Sequence, residues 1–398
     1  MNRRGVMTAL GVTQILAWGS SYYLPAVLAE SIVRQTGWSL TWVVGGLSLG
    51  LLVAALISPR VGRIIEQRGG RNVLAFSAAA LGIGLLGLGA APTLTLYIAS
   101  WLVLGVGMGA GLYDAAFATL GRLYGQDARS SITTLTLFGG LASTVCWPLS
   151  ALFVSSFGWR GACLAYAAIQ LGFSLPLYFF AVPHPQPLEP LVSDIGAKAV
   201  PAPFAERPSL SAIVLLAAAL TLAAMLSATI SVHLLTLLQA GGVALATAVG
   251  LGTLVGPCQV AARAIEMAIA PYHHPIWTKL ASVTFVAAGI SALGVRFPAV
   301  LVALAFYGAG IGLESIARGT LPLAMFGARG YATLIGRLAM PSLLAQAAAP
   351  SFGAFLLERL GATGMLGVLA SIAFLNVGLS LALLWTIVRA KVRGLAAE

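Results

Sequence analysis

Glu314 and Arg318 stand four residues apart in the stretch Gly308–Leu321, G-A-G-I-G-L-E-S-I-A-R-G-T-L, deep inside a long apolar segment. On a helix that spacing stacks the two side chains on one face, about 6 Å apart. Two chemistries fit. The pair can neutralise itself so that both groups enter an apolar medium, or Arg318 can grip an anion while Glu314 exchanges a proton. A guanidinium stays charged and in a low dielectric needs a counter-anion under either reading. A second carboxylate, Asp114, lies in the related stretch Gly109–Leu120, G-A-G-L-Y-D-A-A-F-A-T-L. It is read as a proton site, as a carboxyl held by Arg122 or nearby backbone, or as a partner for Arg318 or Arg337 across the molecule. Arg337 itself either joins Arg318 in a carboxylate clamp or reaches back to the lipid headgroups.

Such groups need elements that cross an apolar phase, and composition supplies them. Charged residues make up 8% of the 398, hydrophobic residues 59%, and the mean hydropathy is +0.96. Soluble domains carry roughly 25% charged residues, so the solvent here is lipid. At about 20 residues per crossing, the apolar segments predict an all-α membrane protein of twelve transmembrane helices, roughly 6–29, 41–60, 72–91, 95–121, 130–156, 161–182, 209–239, 243–265, 276–296, 298–325, 331–357 and 363–388. The first is read as a helix that is retained. The net charge of +11 is scattered between these segments, unlike a nucleic-acid footprint. Sixteen Lys and Arg fall on one set of loops and helix ends, Arg263 and Lys279 among them, against Arg34, Arg160, Arg296 and Arg359 on the other. The positive-inside rule then puts both termini in the cytoplasm.

The Pro-rich, charged segment 183–208 reads as a solvated linker between a six-helix bundle, 1–182, and a second, 209–398. The halves look duplicated. Gly109–Leu120 slides onto Gly310–Leu321 with an offset of 201, Arg63 and Glu66 onto Arg263 and Glu266 with 200, and Gly158-x-x-Gly161 onto Gly361-x-x-Gly364 with 203. Duplicated halves place a substrate site at the midplane between them.

The loop after the second span reads Gly62-Arg63-Ile64-Ile65-Glu66-Gln67-Arg68-Gly69-Gly70-Arg71. It resembles the signature loop of the major facilitator superfamily, G-x-x-x-[D/E]-x-x-G-x-R. The resemblance implies a latch on the cytoplasmic face, with Gly62 in the motif and Glu66 as an acidic residue partnered by Arg63 and Arg71. Trp18-Gly19, Gly37-Trp38-Ser39 and Phe157-Gly158-Trp159-Arg160-Gly161-Ala162 look like the monocarboxylate and oxalate–formate porter branch. That branch has a basic residue on span eight, where this chain has Arg263, at the predicted cytoplasmic end.

The expectation is therefore a secondary carrier of the inner membrane, acting as a monomer, that moves a small organic anion with protons. Arg318, Arg337, Tyr22, Tyr23, Gln14 and His233 are the candidate substrate contacts, and Glu314 and Asp114 the proton sites. An efflux antiporter for hydrophobic or drug-like compounds is the alternative, disfavoured by the intramembrane arginines. No phosphate-binding G-x-x-x-x-G-K-[ST] loop, nucleophile–base set or Cys/His ligand spacing occurs in the sequence. Neither an enzyme nor a cofactor is expected, and nucleic acid is not an expected partner.

Overall fold

A computed structural model describes residues 3–183, 209–294 and 300–395, with side chains through 389. The linker predicted at 183–208 falls, apart from Pro183, outside the described residues, as do Lys198, Arg207 and Arg296. The described residues are helices joined by short turns. Among the described residues, eight stretches are long and apolar enough to cross a membrane; two of them, Leu94–Ala181 and Tyr331–Arg389, run to 88 and 59 residues, long enough for more than one crossing each. Large apolar side chains such as Phe76, Ile83, Phe173 and Leu375 stand exposed on the outside. Lipid matches such a surface, whereas water would not.

Several predicted spans are broken helices. Span one is Arg3–Gly19 followed by Leu24–Thr36, span four is Leu94–Gly111 followed by Tyr113–Tyr124, and span eight is Leu245–Thr253 followed by Val255–Ile269. Backbone freed at a break must find a new partner in an apolar medium. In span one Tyr23 N–H donates to Trp18 O, and Gln170 from span six donates to the Ser20 hydroxyl. Spans five and six turn at Gly158 (φ 69°), and spans eleven and twelve at Gly361 (φ 68°). Only glycine takes that left-handed conformation freely, so this part of the repeat reflects a shared backbone need.

Packing fixes the repeat more firmly than the sequence does. Ser77 donates to Gly107 O at 2.8 Å, and Ser282 to Gly310 O at 2.9 Å. Gly105 lies against the backbone of Gly50, and Gly308 against that of Val255. A Cβ on Gly109 would sit 2.9 Å from Ala54 Cα, and one on Gly312 2.9 Å from Gln259 Cα. These contacts match 105, 107 and 109 with 308, 310 and 312, an offset of 203. The 201 expected from sequence is thus two residues out. Glycines at every second position make a two-residue slip nearly invisible in the sequence. In the corrected register Glu314 stands opposite Gly111, and Arg318 opposite Ala115. The buried charges are not a duplicated feature; each half has its own.

Candidate functional site

The break in span four makes the site. At Leu112 the backbone turns to ψ −170°, and the freed Gly111 carbonyl accepts a 2.6 Å hydrogen bond from Gln14 Nε2. Four glycines in Gly105–Gly111 weaken the helix locally. The helix restarts at Tyr113, leaving Asp114 in a first turn, where the helix dipole favours a carboxylate. Facing it, Arg318 projects from the unbroken helix Val300–Phe326 of the other half. Arg318 Nε donates to Asp114 Oδ1 and its terminal nitrogen to Oδ2, both at 2.8 Å. The two side chains are 19% and 17% exposed. They close the middle of a cavity of about 50 Å³ lined also by Trp18, Tyr22, Ser58 and Gln346, space for a few waters.

Glu314 does not pair with Arg318, although their spacing would allow it. Its Oε1 takes the Lys279 ammonium at 2.5 Å, and its Oε2 takes the Ser282 hydroxyl at 2.8 Å. The expected intrahelical pair is therefore corrected to two pairs pointing in opposite directions. Lys279 is fully buried, and a desolvated ammonium is held in place only by an opposite charge. Its proximity claims Glu314, which leaves Arg318 to reach across to Asp114. Lys279 and Arg263 were expected among the charges of the inner loops and helix ends; both stand toward a helix end, but their side chains are buried. Lys279 sits one turn inside the helix Pro275–Gly294, and the apolar run around it, Ile276-Trp277-Thr278-Lys279-Leu280, was the sequence signal.

Arg263 is 4% exposed. Its guanidinium donates to Thr136 O at 3.0 Å in the first half, to Gly312 O at 3.2 Å and to Gln259 Oε1 at 3.3 Å. Among the described residues it has no carboxylate within 4.0 Å. Tyr113 donates to the same Thr136 carbonyl at 3.4 Å, so Arg263 lies just behind the cavity wall.

Toward the face that holds the loops after spans two and eight, further bonds tie the halves together. Among the described residues, Glu66 forms no ion pair with Arg63, which is exposed. Its carboxylate accepts the backbone N–H of Gly330 at 3.1 Å and of Ala332 at 3.0 Å, the free donors at the start of span eleven. Arg122 donates to the Glu66 carbonyl, and Arg71 lies over the Phe179 ring. Gly62 packs on Gly336, where a Cβ would come 3.0 Å from the opposing Cα. At the related position, Arg129 of the first half donates to His273 O at 2.8 Å, and Glu266 takes Thr278 at 2.6 Å with His273 at 3.4 Å.

A family model for the Major Facilitator Superfamily matches residues 10–272. The chain belongs to that superfamily. Its fold is the superfamily's, two six-helix bundles, and its work is transport. The human organic anion transporter MFSD10 (TETRAN) has a similar structure, with TM-score 0.74 and 16% identity over 96% of this chain and 100% of that one. The proton:xylose symporter XylE gives 0.69 and 12% over 94% of each chain. FucP in the outward conformation gives 0.68 and 11% over 94% of this chain and 98% of that one. At these identities the likeness is one of fold. No curated protein matches the sequence.

Within this superfamily fold the remaining candidates are spread out. Tyr22 lines the cavity with Arg318, and Tyr23 follows it at a ring distance of 5.4 Å. Gln14 is buried and committed to Gly111 O. His233 bonds the Pro350 carbonyl at 3.1 Å and packs over Gly353. Arg337 is exposed, which fits the second of its two readings rather than a clamp with Arg318. Only about seven residues into its helix, its long side chain reaches the surface instead.

Proposed function

We propose that the chain is a secondary transporter for a small organic anion, coupled to protons and working by alternating access. The bidentate Asp114–Arg318 pair between the halves carries this reading. A guanidinium fork that fits one carboxylate fits another, so the substrate competes with Asp114 for Arg318. Protonating Asp114 removes its claim and frees the fork. One proton and one anion then enter together, and the site's net charge does not change.

Charge balance in the apolar interior supports an anion over a cation. Arg318 and Lys279 are each paired with a carboxylate, Asp114 and Glu314, whereas Arg263 beside the cavity satisfies its donors on neutral oxygens alone and is a local excess of positive charge there. A hydrophobic cation, the cargo of the alternative antiporter, would meet that excess at close range. Glu314 is the second titratable carboxyl, tied to Lys279 rather than to the cavity.

The hydrogen bonds that join the halves, at Glu66, Arg129, Arg263 and Asp114, run from the midplane to one face. With that face cytoplasmic, as the basic loops imply, the described state is closed inward. The protein would then sit in the inner membrane as a monomer, with both termini cytoplasmic and a soluble bundle-to-bundle linker at 183–208. The monocarboxylate and oxalate–formate porter branch fits this chemistry. Uptake of radiolabelled monocarboxylates and dicarboxylates into proteoliposomes, with and without an inward proton gradient, tests the reading. Gradient-stimulated anion uptake supports it; uptake of cations alone overturns it.

A further inference from the structure

We infer that the transported anion is a monocarboxylate with a flat, aromatic or otherwise apolar body. The inference rests on the anion reading above and narrows it. One observation sets the number of carboxylates. Lys279 is held by Glu314, and Arg263 is bonded to three oxygens. When Asp114 withdraws, one bidentate fork falls vacant, and one carboxylate replaces one carboxylate. A second carboxylate on the substrate could reach a cation only by displacing the Thr136, Gly312 and Gln259 oxygens from Arg263 behind the cavity wall, which would strand those acceptors.

A second observation sets the body. Rings run without a gap from Trp147 to the charged pair. Trp147 to Tyr23 is 6.4 Å between centroids, Tyr23 to Tyr22 5.4 Å, Tyr22 to Trp18 5.3 Å and Trp18 to Tyr113 5.0 Å. Tyr113 lines the cavity together with Asp114 and Arg318, and its ring is backed by Phe117 at 5.1 Å. Met108, Leu51 and Leu343 add apolar surface to the cavity lining. The indole N–H of Trp18 is buried without a hydrogen-bond partner, a donor left for a ligand acceptor. A small hydroxy acid would leave the faces of these rings without a packing partner, whereas an aryl ring packs against them at the usual offset or edge-to-face distances.

The test is equilibrium binding and uptake by the full chain in lipid nanodiscs and proteoliposomes, with benzoate, lactate and succinate as probes. Benzoate is expected to bind about tenfold or more tighter than lactate, the ratio that a few ring contacts supply, and succinate weakest. Trp18→Ala is expected to lower benzoate affinity far more than lactate affinity and so remove most of the preference, while Trp18→Phe, which keeps a ring, retains most of it. Lactate or succinate binding as tightly as benzoate, or a benzoate affinity indifferent to Trp18→Ala with the protein still folded, overturns the inference. If lactate is carried in an Arg318-dependent way and benzoate is not, the aromatic assignment falls while the anion transporter stands. If none of the three acids binds, both fall.

Discussion

Arg318 and Asp114 lie 204 residues apart in sequence and meet through two parallel N–H···O bonds of 2.8 Å, one helix from each half of the molecule supplying each partner. The contact exists because span four breaks at Leu112 and restarts with its N-terminus aimed at the other half. A straight helix would carry Asp114 elsewhere. The pair is therefore at once a bond between the halves and a carboxylate seated in a guanidinium fork, and these roles compete whenever a second carboxylate arrives.

Arg318→Ala should lower organic-anion uptake by a factor on the order of 10² or more, since hydrogen bonds to a charged group contribute about 1.5–3 kcal/mol each and two are lost. Arg318→Lys keeps the charge without the fork and should fall between. Initial uptake rates in proteoliposomes, at matched protein incorporation, measure both. Equal rates for Arg318→Ala and the parent protein would make the pair purely structural.

The latch face makes a separate prediction. Glu66→Ala removes two charge-assisted bonds to the start of span eleven, a loss of about 3 kcal/mol or more, and should shift the population toward opening on that face. Gly62→Leu should do the same more severely, because its side chain would enter the backbone of Gly336. Reactivity of an introduced cysteine near the cavity toward a membrane-impermeant reagent, applied from each side, reads the shift. Unchanged sidedness in both variants would remove the latch from the cycle.

Lys279→Ala leaves Glu314 buried opposite no cation and should cost about 3–5 kcal/mol of stability. The double variant Lys279→Met with Glu314→Gln should recover most of it. Thermal unfolding in detergent measures the difference. A single variant as stable as the double would mean that the pair is not buried as described.

Much of the fold was legible in the sequence because lipid leaves few choices: apolar length gives the spans, and glycines with positive φ mark Gly158 and Gly361. The site was half legible. Asp114, Glu314 and Arg318 stand out as charges in apolar text, but periodicity cannot say which of several cations claims Glu314. That depends on Lys279, whose place one turn inside its helix reads in the sequence as a helix-end charge rather than a buried one. Arg263 hid in the same way. Gln14 was a candidate substrate contact as a polar side chain in an apolar span; its partner, Gly111 O, becomes available only where span four breaks.

Gln14→Leu accordingly tests a helix break rather than a binding site. It strands the Gly111 carbonyl and should cost about 1–3 kcal/mol with little change in substrate affinity. Thermal unfolding paired with binding measures the split, and a loss of affinity at full stability would return Gln14 to the substrate.

The central claim is that Asp114 carries the proton that releases Arg318. Its most direct test is uptake of a monocarboxylate into proteoliposomes under an imposed inward proton gradient, comparing the parent protein with Asp114→Asn. The asparagine variant cannot take up a proton at this position and leaves Arg318 without its counter-charge. The account predicts that the parent concentrates the anion in response to the gradient, while the variant still exchanges anions across the membrane but no longer responds to it. Gradient-driven accumulation by Asp114→Asn equal to that of the parent would contradict the account.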